Sequence, residues 1–466
     1  VSELSTVASK KLRLLAVTAL TAAITFGVAA CGGDDSNNDP NPETVTQGPT
    51  GNTGATGNTG TTGSVPFTGA TGTDSTTATL GSASDAAVDS VRFFAAESPW
   101  NTTVEGLPSA ANSTRLLELG LQRIGVREVP GEQGVETFVR PRTPQLTINT
   151  EQWAPLVVTE GGDGAEMTQM VCRQSNCGST DPPVPKQLAL PPGTTPDPRY
   201  DGWLSVIDLE EGVGYDFWRA RRQSDGTISF QFSKGWRLDG PGFSKPVSED
   251  PIRAPGARGS GLPLFGGLIS PGELTAGRID HALAISLPGI ARRNFVQPAS
   301  VTNGIGESAS LPAGARIRLR DGVSLRNSPF SPKRLQVPRF DARGRRDPQG
   351  KFDRNGNLLD RRILDGSATE LRARSVETIL TALREYGAIV VDRSDVPTLY
   401  APRGTSRRLV RGDELDWLTI DDFEVVQLPR IFRDPPLAKV ALEGPDAAAE
   451  GSVQSGQAAG NAENGQ

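Results

Sequence analysis

Short apolar or alternating runs separated by turn residues restrict the fold of this chain more than any other feature. They recur at residues 137–139, 155–159, 203–209, 215–219, 227–233, 279–287, 315–319, 388–392 and 423–428. Side chains alternate between faces along a strand, whereas a helical stripe repeats at three and four residues. The connections are rich in glycine and proline, 53 and 36 residues in all, which favour turns and interrupt helices. Helix signals are few. Ser270-Pro271-Gly272-Glu273 reads as a capping box with proline at the first helical position, and Gly277 as its stop. Ser367-Ala368-Thr369-Glu370 opens a longer helix with Val376, Ile379, Leu380 and Leu383 on one face, ended by Gly387. Asn112 or Ser113 caps a third, around residues 116–124. Strands without regular helix alternation predict a mainly β protein, a β-sandwich or a distorted, jelly-roll-like barrel with a few helices.

Composition bounds the folded part. Residues 31–90 are dominated by Gly, Thr, Asn, Ser and Asp, with Gly48, Gly51, Gly54, Gly57, Gly60 and Gly63 at every third position. This array looks collagen-like, but it is short and holds a single proline, Pro49. A flexible tether is therefore expected, with an r.m.s. reach of roughly 40–45 Å. Residues 438–466 have the composition of a disordered tail. The intervening body, residues 91–437, is long enough for a well-packed core. Net charge is −6 with both signs interspersed, so nothing advertises a nucleic-acid partner. Residues 339–362 form a charged insertion whose Asp353-Arg354-Asn355-Gly356-Asn357 resembles the start of a calcium loop. The acid needed at the twelfth position would fall at Leu364, so the insertion reads as a solvated turn.

Residues 10–31 run from Lys10, Lys11 and Arg13 through an apolar stretch to Val28-Ala29-Ala30-Cys31. That order of basic, apolar and small residues fits an export signal better than a membrane span, for which the stretch is short. It looks like a bacterial lipoprotein signal peptide, residues 1–30. The resemblance implies cleavage before Cys31, lipidation of that residue, and a place on the extracytoplasmic face of the plasma membrane. Multiple acyl chains hold a protein firmly to a bilayer. Of three cysteines, Cys172 and Cys177 then remain as a pair. A disulfide is expected in an oxidising compartment. A reduced pair and a metal site are the rivals, the latter short of ligands.

The chain has one histidine, His281. On a strand spanning 279–287 it would share an apolar face with Ile279, Leu283, Ile285 and Leu287, with Asp280 pointing away. Such a histidine is either a core residue or an acid–base group. The glycine-dense stretch 258–268 signals tight backbone packing or close approach to a ligand. Aromatic and charged residues in Tyr215-Asp216-Phe217-Trp218-Arg219 and at Trp236 suit either a strand core or a sugar-gripping surface. No nucleophile elbow, phosphate loop, dinucleotide fingerprint or His-rich zinc site is present, and no cofactor is expected.

Glu97-Ser98-Pro99-Trp100-Asn101-Thr102, Tyr215-Asp216-Phe217-Trp218-Arg219-Ala220, Gly259-Ser260-Gly261-Leu262-Pro263-Leu264, Gly277-Arg278-Ile279-Asp280-His281-Ala282-Leu283 and Tyr386-Gly387-Ala388-Ile389-Val390-Val391-Asp392 recur as an ordered set. Over roughly residues 93–430 the chain resembles a family of uncharacterised secreted proteins of high-GC Gram-positive bacteria. That family carries no established activity to transfer. Many of its members have histidine where Trp203 stands here, so a mechanism needing two histidines is incomplete in this chain.

Two readings follow. The first is a non-catalytic, membrane-anchored lipoprotein that binds polysaccharide or cell-wall glycan, or organises the envelope. The alternative is a polysaccharide lyase or glycoside hydrolase. Its catalytic groups would be His281 and Tyr215, with Asp216, Trp218, Arg219, Trp236, Arg258 and Asp280 binding substrate. A hydrolase would need two carboxylates set a fixed distance apart. Because no catalytic constellation is complete, the binding reading is favoured.

Overall fold

The structure is a computed structural model. It describes residues 91–434 except 132–133, 140–141, 143, 152, 163, 179–180, 332–337 and 360–366. The chain divides into two units, Val1–Thr76 and Thr77–Gln466, and every described residue belongs to the second. Cys31, the signal segment, the tether and the tail lie outside the described residues. No described helix is long and apolar enough to cross a membrane.

The body is mainly β with few helices. A six-stranded mixed sheet forms one layer, in the order β17 (Phe423–Val425), β14 (Arg316–Leu319), β15 (Ala388–Arg393), β12 (Leu283–Leu287), β16 (Thr398–Tyr400), β3 (Thr147–Asn149). A four-stranded sheet follows, β11 (Phe232–Arg237), β8 (Val213–Trp218), β7 (Leu204–Asp208), β4 (Leu156–Thr159). A second four-stranded sheet comprises β6 (Gln187–Leu190), β5 (Glu166–Cys172), β10 (Ile228–Phe230) and β9 (Arg221–Arg222). Two ribbons, β1 (Val126–Gly131) with β2 (Gly134–Val139) and β13 (Asn294–Val296) with β18 (Ile431–Arg433), complete the strands. Among the described residues no sheet closes into a barrel.

Alternation along the strands builds the layers. On β12 and β15, Leu283, Ile285, Ala388 and Val390 enter one core, while Ala284, Ile389 and Val391 enter another. The first core is covered by helix α3 (Ser367–Glu385), which buries Val376, Ile379, Leu380 and Leu383 along one stripe. The second packs against Trp203, Ile207 and Trp236 of the neighbouring four-stranded sheet. The far face of that sheet, with Leu204, Val206, Tyr215 and Phe217, meets Leu188, Ile228 and Phe230 of the third sheet. The result is a sandwich-like stack of three sheets.

The short helix α2 (Pro271–Ala276) has the expected capping box between Ser270 and Glu273, with Gly277 left-handed at φ 77°. Helix α1 (Ser113–Leu121) stops before residue 124, and Asn112 makes no side-chain cap bond. Ser113 Oγ instead accepts from Val425 N at 2.8 Å, tying the helix to β17. The apolar run 227–233 is not one strand. It changes sheets at Gln231, β10 pairing with β5 and β11 with β8. Likewise the run 279–287 becomes extended only at Leu283. Cys172 and Cys177 form a disulfide.

The glycine-dense stretch is packed backbone. The loop from β11 to α2 threads between the six-stranded sheet and the β11-β8-β7-β4 sheet, and Leu262, Leu264 and Phe265 are buried in it. Gly267 sits at φ 70°, where a Cβ would stand 2.6 Å from Ala284 N and 2.6 Å from the Trp100 ring. In the charged insertion, Asp353 Oδ1 accepts from Asn355 N and Asn357 N, both at 2.8 Å. Asp341 does the same for Arg343 and Arg345, both at 2.9 Å, so both carboxylates serve turns.

Gly267→Ala is expected to destabilise the domain by about 2–4 kcal/mol, because a positive φ and rigid neighbours combine. Urea unfolding checks this; a loss below about 0.5 kcal/mol would contradict the packing described.

Candidate functional site

One face of the β11-β8-β7-β4 sheet carries the candidate site. The register pairs Ser205 with Asp216 and Asp216 with Lys234, making a polar row across three strands. Deeper in the sheet Gly214 lies between Ile207 and Trp236, and its missing side chain admits the ring of Phe265. Toward the sheet end, Trp218 pairs with Phe232. Trp203 immediately precedes β7 at this end, and both it and Trp218 pack on the same core. An aromatic row thus stands outside a charged one.

Asp216 is fully buried. Its Oδ1 accepts from Ser205 Oγ at 2.6 Å, and its Oδ2 from Trp236 Nε1 at 2.9 Å and Leu264 N at 2.8 Å. Burial pushes its pKa up to about 6 against the pull of these bonds. Lys234, also buried, donates to Ser244 Oγ, Arg253 O and Pro255 O at 2.7, 2.6 and 2.9 Å. Burial pulls its pKa down to about 7. Arg258 enters from the threaded loop, with Nε donating to Pro263 O at 3.0 Å and Nη2 to Leu264 O at 2.9 Å. Its guanidinium lies 4.8 Å from the Tyr400 ring centre and 5.5 Å from that of Trp203. From the six-stranded sheet, Tyr400 Oη donates to Ser286 Oγ at 2.7 Å. Asp392 accepts from Gly259 N and Asn303 Nδ2 at 3.1 and 2.6 Å.

His281 belongs to a different place. It lies in the bend before β12, not on an apolar strand face. Its Nε2 is 3.0 Å from Glu273 Oε1, and its Nδ1 is 3.0 Å from Ala282 O. Both ring nitrogens face acceptors, an arrangement that the doubly protonated ring satisfies. Burial lowers the imidazole pKa, but the hydrogen bond and charge of Glu273 outweigh it, leaving the value above the ordinary 6.5. A general base needs a free lone pair aimed at substrate; here both nitrogens are engaged by the protein itself. Beside the ring is a cavity of only about 20 Å³, lined with Phe94, Trp100 and Gly267 among others.

The other residues singled out from sequence separate. Tyr215 points to the opposite sheet face from Asp216 and packs with Val206 and Phe230. Burial raises its phenol pKa. Asp280 pairs with Arg278 beside His281. Trp218 and Arg219 do meet at the sheet end, the guanidinium lying 4.5 Å over the ring. Trp236 and Arg258 join Asp216 in the interior.

The sheet end also collects residues that sequence reasoning missed. Trp153, 37% exposed, precedes β4, and its ring is 5.7 Å from that of Tyr200, which precedes β7. Arg199 stands 5.6 Å over Tyr200, and Asp197 pairs with Arg199 and Arg403 at 2.7 and 3.4 Å. That contact with Arg199 drops the Asp197 pKa to about 2. Among the described residues five non-glycines have positive φ, and three of them, Trp153, Asp201 and Arg219, are here. Backbone strain of this kind costs stability and concentrates at functional sites. The available signals were Tyr200 next to Asp201-Gly202 and Trp153 just before a strand.

No protein-family model, curated protein or solved structure matches the chain.

The raised His281 pKa has a defined sign. A group whose folded pKa exceeds its unfolded value adds stability that is fully present below the unfolded value, about 6.5. That stability is lost as pH rises through the folded value. Glu273→Gln should therefore lower Tm at pH 5.5 more than at pH 9, about twofold or more in ΔΔG. Thermal denaturation at the two pH values checks this, and an equal loss at both would contradict the ionic pairing.

Proposed function

We propose that this chain is a lipid-anchored extracytoplasmic protein whose β-rich domain binds glycan at the aromatic end of the β11-β8-β7-β4 sheet without cleaving it. The observation that carries the reading is the convergence of Trp218 with Arg219, and of Trp153 with Tyr200 and Arg199, on strained backbone at one sheet end. Aromatic faces present an apolar surface to the C–H face of a sugar ring, while neighbouring guanidinium groups donate to its hydroxyls. The engagement of both His281 nitrogens and the complete burial of Asp216 support binding rather than catalysis. Cys31, at the close of the export-type segment, supplies the membrane attachment. The Gly/Thr-rich tether lets the domain reach surrounding wall glycan, and no nucleic-acid partner is invoked.

Trp218→Ala is expected to weaken polysaccharide binding about tenfold or more, with an unchanged circular dichroism spectrum. Affinity electrophoresis over a panel of neutral and uronate glycans reads the affinity; a panel without any retardation would defeat the proposal. Incubation with the same panel should release neither reducing ends nor products absorbing at 235 nm. Either signal would favour a hydrolase or a lyase instead.

Cys31→Ser is expected to move the protein from the membrane pellet to the soluble fraction of its producing cell. Persistence in the pellet would reject lipid anchoring through that residue.

A further inference from the structure

Arg258 is unusual for a buried cation. Its side chain is 1% exposed, yet among the described residues no carboxylate lies within ion-pair distance of it. Nε and Nη2 are taken by backbone carbonyls, and Nη1 has no hydrogen-bond partner. The two acids that act on it electrostatically, Asp216 and Asp392, are already engaged. Asp216 accepts three bonds, and Asp392 accepts from Gly259, Asn303 and Arg393. Burying a charge without a paired counter-charge is strongly unfavourable.

A second orphaned donor belongs to the ring beside this guanidinium. Trp203 Nε1 is buried without a partner, on a residue 7% exposed. The Arg258 guanidinium carbon is 5.5 Å from the Trp203 ring centre. A buried donor left without its bond is costly, so two unpartnered N–H groups on adjoining side chains favour an acceptor that both can reach. An indole N–H and a guanidinium N–H together complement an anionic oxygen group, as in charge-assisted recognition of carboxylate or phosphate. Trp203 immediately precedes β7 while Trp218 closes β8, and Trp203 follows Asp201 and Gly202, both left-handed at φ 62° and 53°. The sheet end thus holds both the half-buried Trp218 ring and the buried donors.

We infer that the glycan taken at this sheet end is anionic, its carboxylate or phosphate received by Arg258 Nη1 and Trp203 Nε1. This rests on the glycan-binding reading above and names the class of ligand. Trp203 and Tyr400 flank the guanidinium. The neutral part of the sugar then lies against Trp218 and Arg219.

The test compares three ligands on the full chain by isothermal titration: a galacturonate oligomer, a poly(glycerol phosphate) chain and a neutral galactose oligomer of matched length. One or both anionic chains should bind about tenfold more tightly than the neutral one, and the stronger of the two identifies the group. Trp203→Phe keeps a ring but removes the N–H, and should reduce the ratio of anionic to neutral affinity about fivefold. Arg258→Lys should reduce it similarly where the variant retains its Tm. Equal binding of neutral and anionic chains overturns this inference while leaving glycan binding intact. An anionic preference unaltered by Trp203→Phe overturns it as well. Absence of binding to all three defeats both this inference and the reading on which it rests.

Discussion

The packing of the six-stranded sheet on the β11-β8-β7-β4 sheet depends on the carboxylate of Asp216. Its three hydrogen bonds come from three separate segments: Ser205 on β7, Trp236 on β11 and the backbone of Leu264 in the threaded loop. Bonds to a charged group are worth about 1.5–3 kcal/mol each when both partners are present. Removing the acceptor would orphan three buried donors at once. The carboxylate therefore holds the glycine-dense loop against the sheet, and the loop in turn carries Arg258 to Trp203 and Tyr400. Burial raises the Asp216 pKa to about 6, which weakens this joint in its ionised form and makes full hydrogen bonding a condition of the fold.

A second carboxylate has two structural tasks. Glu273 Oε2 accepts from Ser270 N at 3.2 Å to complete the capping box, and its Oε1 meets His281. Helix capping and the histidine contact thus share one side chain. The loop from α2 to β12 is held back on its own helix, which explains why extended structure begins only at Leu283. The motif around His281 reads as chemistry in one dimension. In three dimensions the imidazole joins Glu273 on its helix to the backbone of Ala282.

Much of the architecture was legible because it follows from short-range rules. Val376, Ile379, Leu380 and Leu383 fall on one helical face at any orientation of the helix, and Ser270-Pro271-Gly272-Glu273 caps through neighbours in sequence. Strand positions and the mainly β class followed from alternation. Sheet membership did not, because residues 227–233 carry no local mark of the switch at Gln231. The candidate site was partly legible. Trp218 and Arg219 are adjacent in sequence and remain together, whereas Tyr215 and Asp216 are adjacent and diverge, since neighbouring strand residues face opposite layers.

By itself the sequence determined the mainly β class, the capping box of α2, the closeness of Cys172 and Cys177 and the spacer-like composition ahead of the body. Each depends on residues close in the chain or on composition alone. Only the tertiary structure decided which aromatic and charged groups share a surface. Trp153, Tyr200, Trp218 and Arg403 come from four separate segments, and strand pairing brings them to one end of a sheet. It also decided that His281 is engaged on both nitrogens and that Arg258 is buried without a counter-ion. Burial and hydrogen-bond partners are set by what the rest of the chain packs around a residue, and no local pattern encodes them.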